Sequence, residues 1–219
     1  MPCSNSGPAS DACDAHAESR VADLAARLTL SVVSWMVRHL MLLITLAMAL
    51  YVTLPVLAPW LLYRGHEAGG RLLYTLFRPL CHQLPERSFF VFGEQWTYSA
   101  SELAARLGGS VPARFVGNQV MGYKMAVCQR DVAIYGSMLL GLMVLGPVAN
   151  RLRMWPARAL AMAAAPLAID GLGQLVGLWH SSPWSRVATG VLFGVGLVRW
   201  GVPHLARALC SAREVTSQS

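Results

Sequence analysis

The order of apolar and polar residues along the chain predicts a helical protein whose apolar faces meet a membrane. Over residues 20–38, apolar side chains recur at three- and four-residue steps with polar side chains between them, which predicts an amphipathic helix at a membrane surface. Residues 40–63 follow without a charge, and at about 1.5 Å per residue they are long enough to cross a hydrocarbon core of roughly 30 Å. Residues 1–19 are small and polar and predict a disordered tail.

Three further apolar stretches predict three more membrane spans, at residues 132–149, 159–179 and 183–206. The last is the least regular, because Arg199 and His204 interrupt its end. The predicted fold class is therefore all-α, a polytopic membrane bundle of four transmembrane helices preceded by an amphipathic interfacial helix. Its predicted parts are a tail at 1–19, the amphipathic helix at 20–38, a membrane domain at 39–206 with an outer segment at 64–131, and a C-terminal tail at 207–219.

Two local patterns add detail to this plan. Small residues recur at four-residue spacing, Ser137 with Gly141 and Gly190 with Gly194, and they would let neighbouring membrane helices approach closely. In the outer segment, residues 99–108 begin with a serine and carry a glutamate three positions later, before a glycine stop. This capping box predicts a short helix there.

Composition supports a membrane class and excludes a nucleic-acid one. The 219 residues are 55% hydrophobic and 13% charged, with a mean hydropathy of +0.45. The net charge of +7 comes almost entirely from arginine, since Lys124 is the only lysine, and no basic run is interleaved with aromatic residues. The expected partners are therefore the lipid bilayer and other membrane helices, including a second copy of the chain, and no nucleic acid.

The distribution of arginines predicts the orientation. The connection between the second and third spans carries Arg151, Arg153 and Arg158, whereas the connection between the third and fourth carries only Arg186. Short positively charged loops stay in the cytoplasm. The expectation is a multi-pass protein of the cell membrane with both termini cytoplasmic and residues 64–131 outside.

Polar residues within or beside the predicted spans are the first candidates for a site. Asp170 and Gln174 share one face of the third span, and the orientation places them in its outer half. A membrane carboxylate needs a partner, for which Arg130, Arg186 and Arg199 are candidates, and it serves either as an internal salt bridge or as a proton or ion relay. The polar residues expected to converge at the outer end are Gln83, Arg87, Arg130, Asp131, Asp170, Gln174, Arg186 and Thr189.

Cys81, His82 and Cys128 form a second group of candidates near the same end, and three alternatives stay open. The two cysteines close a disulfide, contributing about 4 kcal/mol through the lost entropy of the unfolded chain. Alternatively, they bind zinc or copper with His82 and with Asp131 or a water. In the third alternative they are a reversible thiol couple, with a nearby arginine lowering a thiol pKa.

The predicted function follows from these alternatives. The chain reads as an integral membrane protein of uncharacterised activity, with an outer polar site that is clamped by a disulfide or binds a metal or a small ligand. Two rival classes are a membrane thiol-disulfide oxidoreductase and a small carrier or channel that uses Asp170. Glycine-rich phosphate loops, a Ser-His-Asp order and paired catalytic carboxylates are absent as recognisable motifs, so whether the protein is an enzyme stays open.

Four motifs together resemble a known family. "CHQLPERSFFVFG", "FVGNQVMGYKMAVCQRDVAIYG", "DGLGQLVG" and "SRVATGVLFG" are similar, in order and spacing, to the prokaryotic membrane proteins of domain of unknown function 2085. The resemblance covers about residues 40 to 200 and implies a small polytopic bundle without an established activity. Some relatives carry a cysteine where this chain has Asp131, which argues against a metal held by three thiolates. The hallmark residues that it implies are Cys81, His82, Gln83, Arg87, Ser88, Cys128, Arg130, Asp170, Gly171, Gln174, Arg186, Thr189 and Gly190.

Overall fold

The structure is a computed structural model, and it is mostly helical. It describes the backbone of residues 8–112 and 114–218, and the side chains of 39–112, 114–211 and several positions between 28 and 36. The described helices are α1 (Pro8–Tyr63), α2 (Glu67–Phe77), α3 (Ala100–Arg106), α4 (Gln129–Leu145), α5 (Ala157–Leu175) and α6 (Pro183–Gln218). The strands are β1 (Ser88–Val91), β2 (Gly117–Asn118) and β3 (Gly122–Cys128), and 3₁₀ turns lie at Pro85–Arg87 and Ala149–Arg151.

Helix α1 is continuous over 56 residues, so the amphipathic stretch at 20–38 and the apolar stretch after it form one helix. It begins at Pro8, within the segment 1–19 expected to be a tail, while residues 1–7 lie outside the described part. Proline suits a first helical turn, where its missing N–H has no partner to lose. Pro55 and Pro59 sit inside the helix and are almost fully buried.

The described residues divide into two compact units. One is Leu43–Ala206, and the other combines the described residues up to Leu42 with those from Arg207 onward. The candidate site lies within Leu43–Ala206.

On length and composition alone, one stretch of the described residues can cross a membrane. It is His39–Tyr63, with 25 residues and a mean hydropathy of 2.4. The sequence predicts four such stretches, but the other three helices fall short of this measure for identifiable reasons. Helix α4 has only 17 residues. Helix α5 carries Asp170 and Gln174, and the apolar part of α6 is interrupted by Arg199.

Residues 64–131, which the sequence predicts to lie outside the membrane, contain a small sheet that the sequence analysis did not predict. Its three antiparallel strands are ordered β1-β3-β2, with Ser88 opposite Cys128 and Gly117 opposite Tyr123. Gly117 has a φ of 120°, and a Cβ there would lie 2.0 Å from the carbonyl oxygen of Gly122. Only glycine fits this close approach of two strands. The all-α class describes the helices but omits this sheet.

The predicted capping box is confirmed at the start of α3. The Glu102 N–H donates to Ser99 Oγ at 3.2 Å, and the Ser99 N–H donates to the Glu102 carboxylate at 2.7 Å. Leu103 of this helix is fully buried in a small core completed by Phe90, Tyr98 and Met121. The core fastens α3 to the sheet.

Close contacts between small residues hold α4 against α6, as predicted. A Cβ at Gly194 would lie 2.1 Å from Ser137 Oγ, and one at Gly190 would lie 2.9 Å from the Ala133 Cβ. Gly141 faces Val198 instead, and a Cβ at Gly141 would lie 3.1 Å from Val198 Cγ1. These contacts align the beginning of α6 with the beginning of α4.

The helices α4, α5 and α6 turn apolar side chains outward and polar ones inward. The buried polar residues on them are Gln129, Ser137, Asp170 and Arg186. Among their described side chains, the exposed large apolar residues are Leu140, Met143, Val144, Met162, Ile169, Leu172, Leu175, Trp184, Val191, Leu192 and Val195. A protein in water shows the opposite preference.

Candidate functional site

Two cysteines and a carboxylate meet at the beginning of α4. Cys81 follows the turn after α2, Cys128 ends β3, and Asp131 lies in the first turn of α4. Their two sulfur atoms and a carboxylate oxygen all lie within 4.8 Å of one another. Since β3 runs directly into α4, Cys128 and Asp131 are one helical turn apart, and Cys81 reaches them through a core that includes Phe77 and Val127.

Hydrogen bonds order this cluster. The Cys128 backbone N–H donates to Cys81 Sγ at 3.2 Å, and Cys128 Sγ donates to Asp131 Oδ2 at 3.2 Å. Both cysteines are free thiols in this structure. Hydrogen bonding with Cys128 lowers the pKa of the Cys81 thiol, whereas the same bond, together with burial, raises the pKa of Cys128. Cys81 is therefore the more acidic thiol of the pair.

Asp170 lies in an ion pair near the same end of the bundle. Arg130 Nη2 donates to Asp170 Oδ2, and Ser181 Oγ donates to Asp170 Oδ1 at 2.6 Å. Arg130 passes over Gly171, where a Cβ would lie 3.3 Å from Nη1. Of the three arginines considered for Asp170, Arg130 makes the contact. Ser181 escaped the sequence analysis, because a serine in a connection has no distinguishing pattern.

Arg186 joins a separate polar network. Its Nη1 donates to Gln129 Oε1 at 3.1 Å and to the carbonyl oxygen of Glu86 at 3.3 Å. Gln129, which is fully buried, donates in turn to the carbonyl oxygen of Ser88 at 3.2 Å. The network links the beginnings of α4 and α6 to β1. Gln129 was missed by sequence reasoning, although its position between Cys128 and Arg130 is a signal.

Arg199, the third candidate partner of Asp170, lies elsewhere. Its Nη1 donates to the carbonyl oxygen of Arg153 at 2.8 Å, and its guanidinium lies 4.8 Å from the centre of the Trp155 ring. Arg153 and Trp155 precede α5, whereas Asp170 is near its end. The two arginine contacts therefore mark opposite ends of α5.

The structure separates His82 from the thiol cluster. Cys81 and Gln83 are buried, but His82 between them is exposed and lines a different cavity. Gln83 has a φ of 55°, and its Nε2 donates to the carbonyl oxygen of Tyr74 at 2.8 Å. This turn directs neighbouring side chains to different sides, so Cys81 and His82 do not share a cluster.

The remaining predicted residues, Thr189, Arg87 and Gln174, lie in three different environments. Thr189 Oγ1 donates to the carbonyl oxygen of Ser185 at 2.8 Å, within its own helix. Arg87 is half-buried. Gln174 Nε2 is buried and, within the described part of the chain, has no hydrogen-bond partner.

Lys124 is the most unusual residue that the sequence analysis left unassigned. Its side chain is 2% exposed, and its ammonium donates to the carbonyl oxygen of Gln83. The Tyr74 hydroxyl donates to the carbonyl oxygen of Lys124, and burial lowers the pKa of the lysine to about 8. Lys124 is the only lysine in the chain, and this was the one feature of the sequence that could have drawn attention to it.

Exposed apolar side chains on the helices, a largely buried Arg130–Asp170 pair and a stretch able to span a bilayer are features of a mostly helical membrane protein. The chain belongs to the family described as "Predicted membrane protein (DUF2085)", whose family model matches residues 118–199. It is 30% identical over 158 residues to "Uncharacterized protein MJ1492" of Methanocaldococcus jannaschii, an alignment that covers 67% of this chain and 80% of the relative. No solved structure was found to match the chain.

Proposed function

We propose that this membrane protein holds a transition-metal ion at its outer rim on Cys81, Cys128 and Asp131. The observation that carries the proposal is the approach of two sulfur atoms and a carboxylate oxygen to within 4.8 Å of one another. Around tetrahedral zinc, with Zn–S bonds of about 2.3 Å, two thiolates lie roughly 3.8 Å apart. Small rotations of these side chains would therefore complete a three-ligand site.

The donor set favours zinc over copper. Thiolates suit both Zn²⁺ and Cu(I), but the hard carboxylate of Asp131 suits Zn²⁺ better. The Cys128 N–H that reaches Cys81 Sγ at 3.2 Å would support a bound thiolate. Three protein ligands leave the fourth position of a tetrahedral zinc site for water or a small ligand. His82 is not one of the proposed ligands, because it lines another cavity.

The proposal places four helical spans in the membrane. Outward apolar residues such as Leu140 on α4 and Met162 on α5, together with the buried Asp170 and Arg186, support lipid as the surrounding solvent of these helices. The arginine-rich connection at Arg151 would then be cytoplasmic, with both termini on that side and the thiol cluster outside. A homo-oligomer stays a prediction.

Metal analysis of the purified full-length protein tests the site. We expect close to one zinc per chain, and its loss from the variant in which Cys81→Ser and Cys128→Ser are combined. Cys210→Ser is the matched control, because Cys210 is exposed and remote in sequence from the cluster. A metal content that is the same in all three proteins, or negligible in the parent after growth with zinc and copper, rejects the metal site.

A thiol-disulfide oxidoreductase is the second candidate, favoured by two free thiols whose sulfur atoms lie within 4.8 Å. Oxidation would join Cys81 Sγ to Cys128 Sγ and release two protons and two electrons, which a quinone would take up as it becomes a quinol. Alkylation-shift gels measure the fraction of each cysteine that is oxidised. Oxidation of both cysteines by a quinone, followed by their re-reduction with a dithiol, supports this candidate, and thiols that stay reduced in the presence of quinone exclude it.

The carrier alternative has less support from the geometry. Asp170 is engaged by Arg130 and by Ser181 Oγ at 2.6 Å, an arrangement that suits a fixed clamp between helices. A carrier would require Asp170→Asn to abolish a flux while leaving the fold intact.

A further inference from the structure

A cavity lies beside α2, lined by residues of α2, of the turn at Gln83 and of β3, and none of Cys81, Cys128 and Asp131 is among its lining residues. Its volume is about 250 Å³, close to the lower end of the range for small-ligand pockets. The lining includes Arg71, Arg78, Arg114, His82 and Lys124, and none of the described lining residues is acidic. Five basic side chains with no carboxylate among them make the cavity attractive to an anion.

Lys124 gives this cavity a buried cationic wall. An ammonium group has three N–H donors, and that of Lys124 donates one to the carbonyl oxygen of Gln83. The pKa of Lys124 is lowered to about 8, chiefly by burial and to a smaller extent by the charge of Arg78, while Cys81 and Glu86 act in the opposite direction. Lys124 is therefore held near cations without a contacting carboxylate.

The arginines at the mouth have weak competing partners. Arg71 pairs with Glu67 across one helical turn at 3.4 Å, and both side chains are about 70% exposed. Exposed pairs of this kind contribute little, so the Arg71 guanidinium can turn toward an anion at small cost. Arg78 and Arg114 are exposed as well.

Helix α2 shows what kind of anion the cavity would meet. Its buried face contains Tyr74 and Phe77, and its cavity face contains Arg71 and Thr75. On the adjoining face Leu72 is 68% exposed and Leu76 is 58% exposed. Leucines beside arginines on one short helix are typical of a helix lying in a membrane interface.

The connection to α1 keeps α2 near the bilayer. Helix α1 ends at Tyr63 and α2 begins at Glu67, so their ends are at most about 14 Å apart. Trp60 and Tyr63 at the end of α1 are exposed. Tryptophan and tyrosine are enriched at the interfaces between a membrane and water. Beside Trp60, the Arg64 guanidinium lies 5.8 Å from the ring centre.

We propose that this cavity binds the phosphate headgroup of an anionic phospholipid, while Leu72 and Leu76 enter the acyl region beside it. Arg71, Arg78 and Arg114 contact the phosphate from the mouth, and Lys124 contacts it from the wall. The site is separate from the thiol cluster and does not require a metal there.

Binding of dansyl-labelled phosphatidylglycerol to the full-length protein tests the proposal. The protein is held in phosphatidylcholine nanodiscs, and energy transfer from its tryptophans reports the labelled lipid. We expect saturable binding that unlabelled phosphatidylglycerol displaces and inorganic phosphate does not. Arg71→Gln combined with Arg78→Gln should weaken binding by roughly fivefold for each arginine removed.

Arg64→Gln is the matched control, because Arg64 is exposed near the same interface but does not line the cavity. It should leave specific binding within about twofold of the parent. Lys124→Met should weaken binding as well, and if this variant does not fold, the arginine variants still decide the question. Leu72→Gln combined with Leu76→Gln should reduce lipid binding without removing a charge.

Three outcomes overturn the proposal. One is equal binding by the Arg71/Arg78 and Arg64 variants, which indicates nonspecific attraction. Another is displacement of the lipid by inorganic phosphate, combined with phosphate binding in equilibrium dialysis that depends on Arg78, which indicates a free-anion site. The third is no preference for phosphatidylglycerol over phosphatidylcholine.

Discussion

The backbone N–H of Cys128 donates to the sulfur of Cys81 at 3.2 Å, although 47 positions separate the two residues in the chain. The contact joins the turn after α2 to the junction of β3 and α4. Asp131, one turn into α4, receives a hydrogen bond from Cys128 Sγ at 3.2 Å. One short stretch of chain thus supplies two possible metal ligands, and the packing of α2 supplies the third.

Changing Asp131 should tune the metal affinity in both directions. Asp131→Cys adds a third thiolate and should make zinc harder to remove with a chelator. Loss of a residue that only hydrogen-bonds to a metal ligand typically weakens metal binding by roughly tenfold or more. Asp131→Ala removes a proposed ligand itself, so it should weaken zinc binding by more than roughly tenfold. Competition with a chromogenic chelator measures both effects. His82→Ala is the control, and an effect of His82→Ala as large as that of Asp131→Ala would assign the ligand set differently.

Breaking the pair between Arg130 and Asp170 should destabilise the helical bundle. Arg130→Gln leaves a largely buried carboxylate without its counter-ion, at a cost of about 3 kcal/mol in unfolding free energy. Combining it with Asp170→Asn should recover part of that loss, because neither charge remains. Denaturant unfolding in detergent micelles measures the cycle. Arg199 on α6 contacts Arg153 and Trp155, which precede the other end of α5. The effects of Arg199→Gln and Asp170→Asn should therefore add, and strong coupling between them would contradict the observed pairing.

The approach of α4 to α6 predicts different results at two glycines of one helix. A methyl group at Gly194 would meet Ser137 Oγ at 2.1 Å and the carbonyl oxygen of Ile134 at 2.5 Å, whereas one at Gly201 would meet nothing within 4 Å. Gly194→Ala should therefore lower the unfolding free energy by about 1–3 kcal/mol. Gly201→Ala should be neutral or slightly stabilising, since alanine favours a helix. Thermal unfolding of both variants measures the difference, and equal stabilities would mean that the helices do not approach so closely.

Lys124 should make stability depend on pH in the alkaline range. Its pKa is lowered to about 8 in the folded protein, from an ordinary value of 10.5. Between these values the unfolded chain binds more protons than the folded one, so the unfolding free energy rises with pH, by about 3 kcal/mol over the window. The contribution is constant above 10.5, and below about pH 8 the folded protein bears the cost of a buried charge.

Lys124→Met removes this titration and should flatten the rise relative to the parent chain. Unfolding at several pH values between about 8 and 10 measures the difference in slope. Parallel curves for the two proteins would show that Lys124 titrates normally in the folded state.

The sequence analysis predicted which kinds of interaction occur at the candidate site better than it predicted which residues take part in them. It named Cys81, His82 and Cys128, with Asp131 or a water, as one possible ligand group, and Arg130 as one of three possible partners for Asp170. It also grouped His82 with the thiols, because adjacent residues look equivalent until the backbone turn at Gln83 is known. The sheet was missed because its strands are short and β2 has only two residues, too few to show an alternating pattern.

The sequence by itself determined the features that depend on residues close together in the chain. These are the mostly helical plan, the apolar stretch ending at Tyr63, the capping box at Ser99 and the small residues that let α4 and α6 approach. Each follows from periodicity or local hydrogen bonding, which three or four positions suffice to express. Only the tertiary structure decided that Arg130 reaches Asp170 and that Cys81 meets Cys128, because such long-range contacts depend on how whole elements pack.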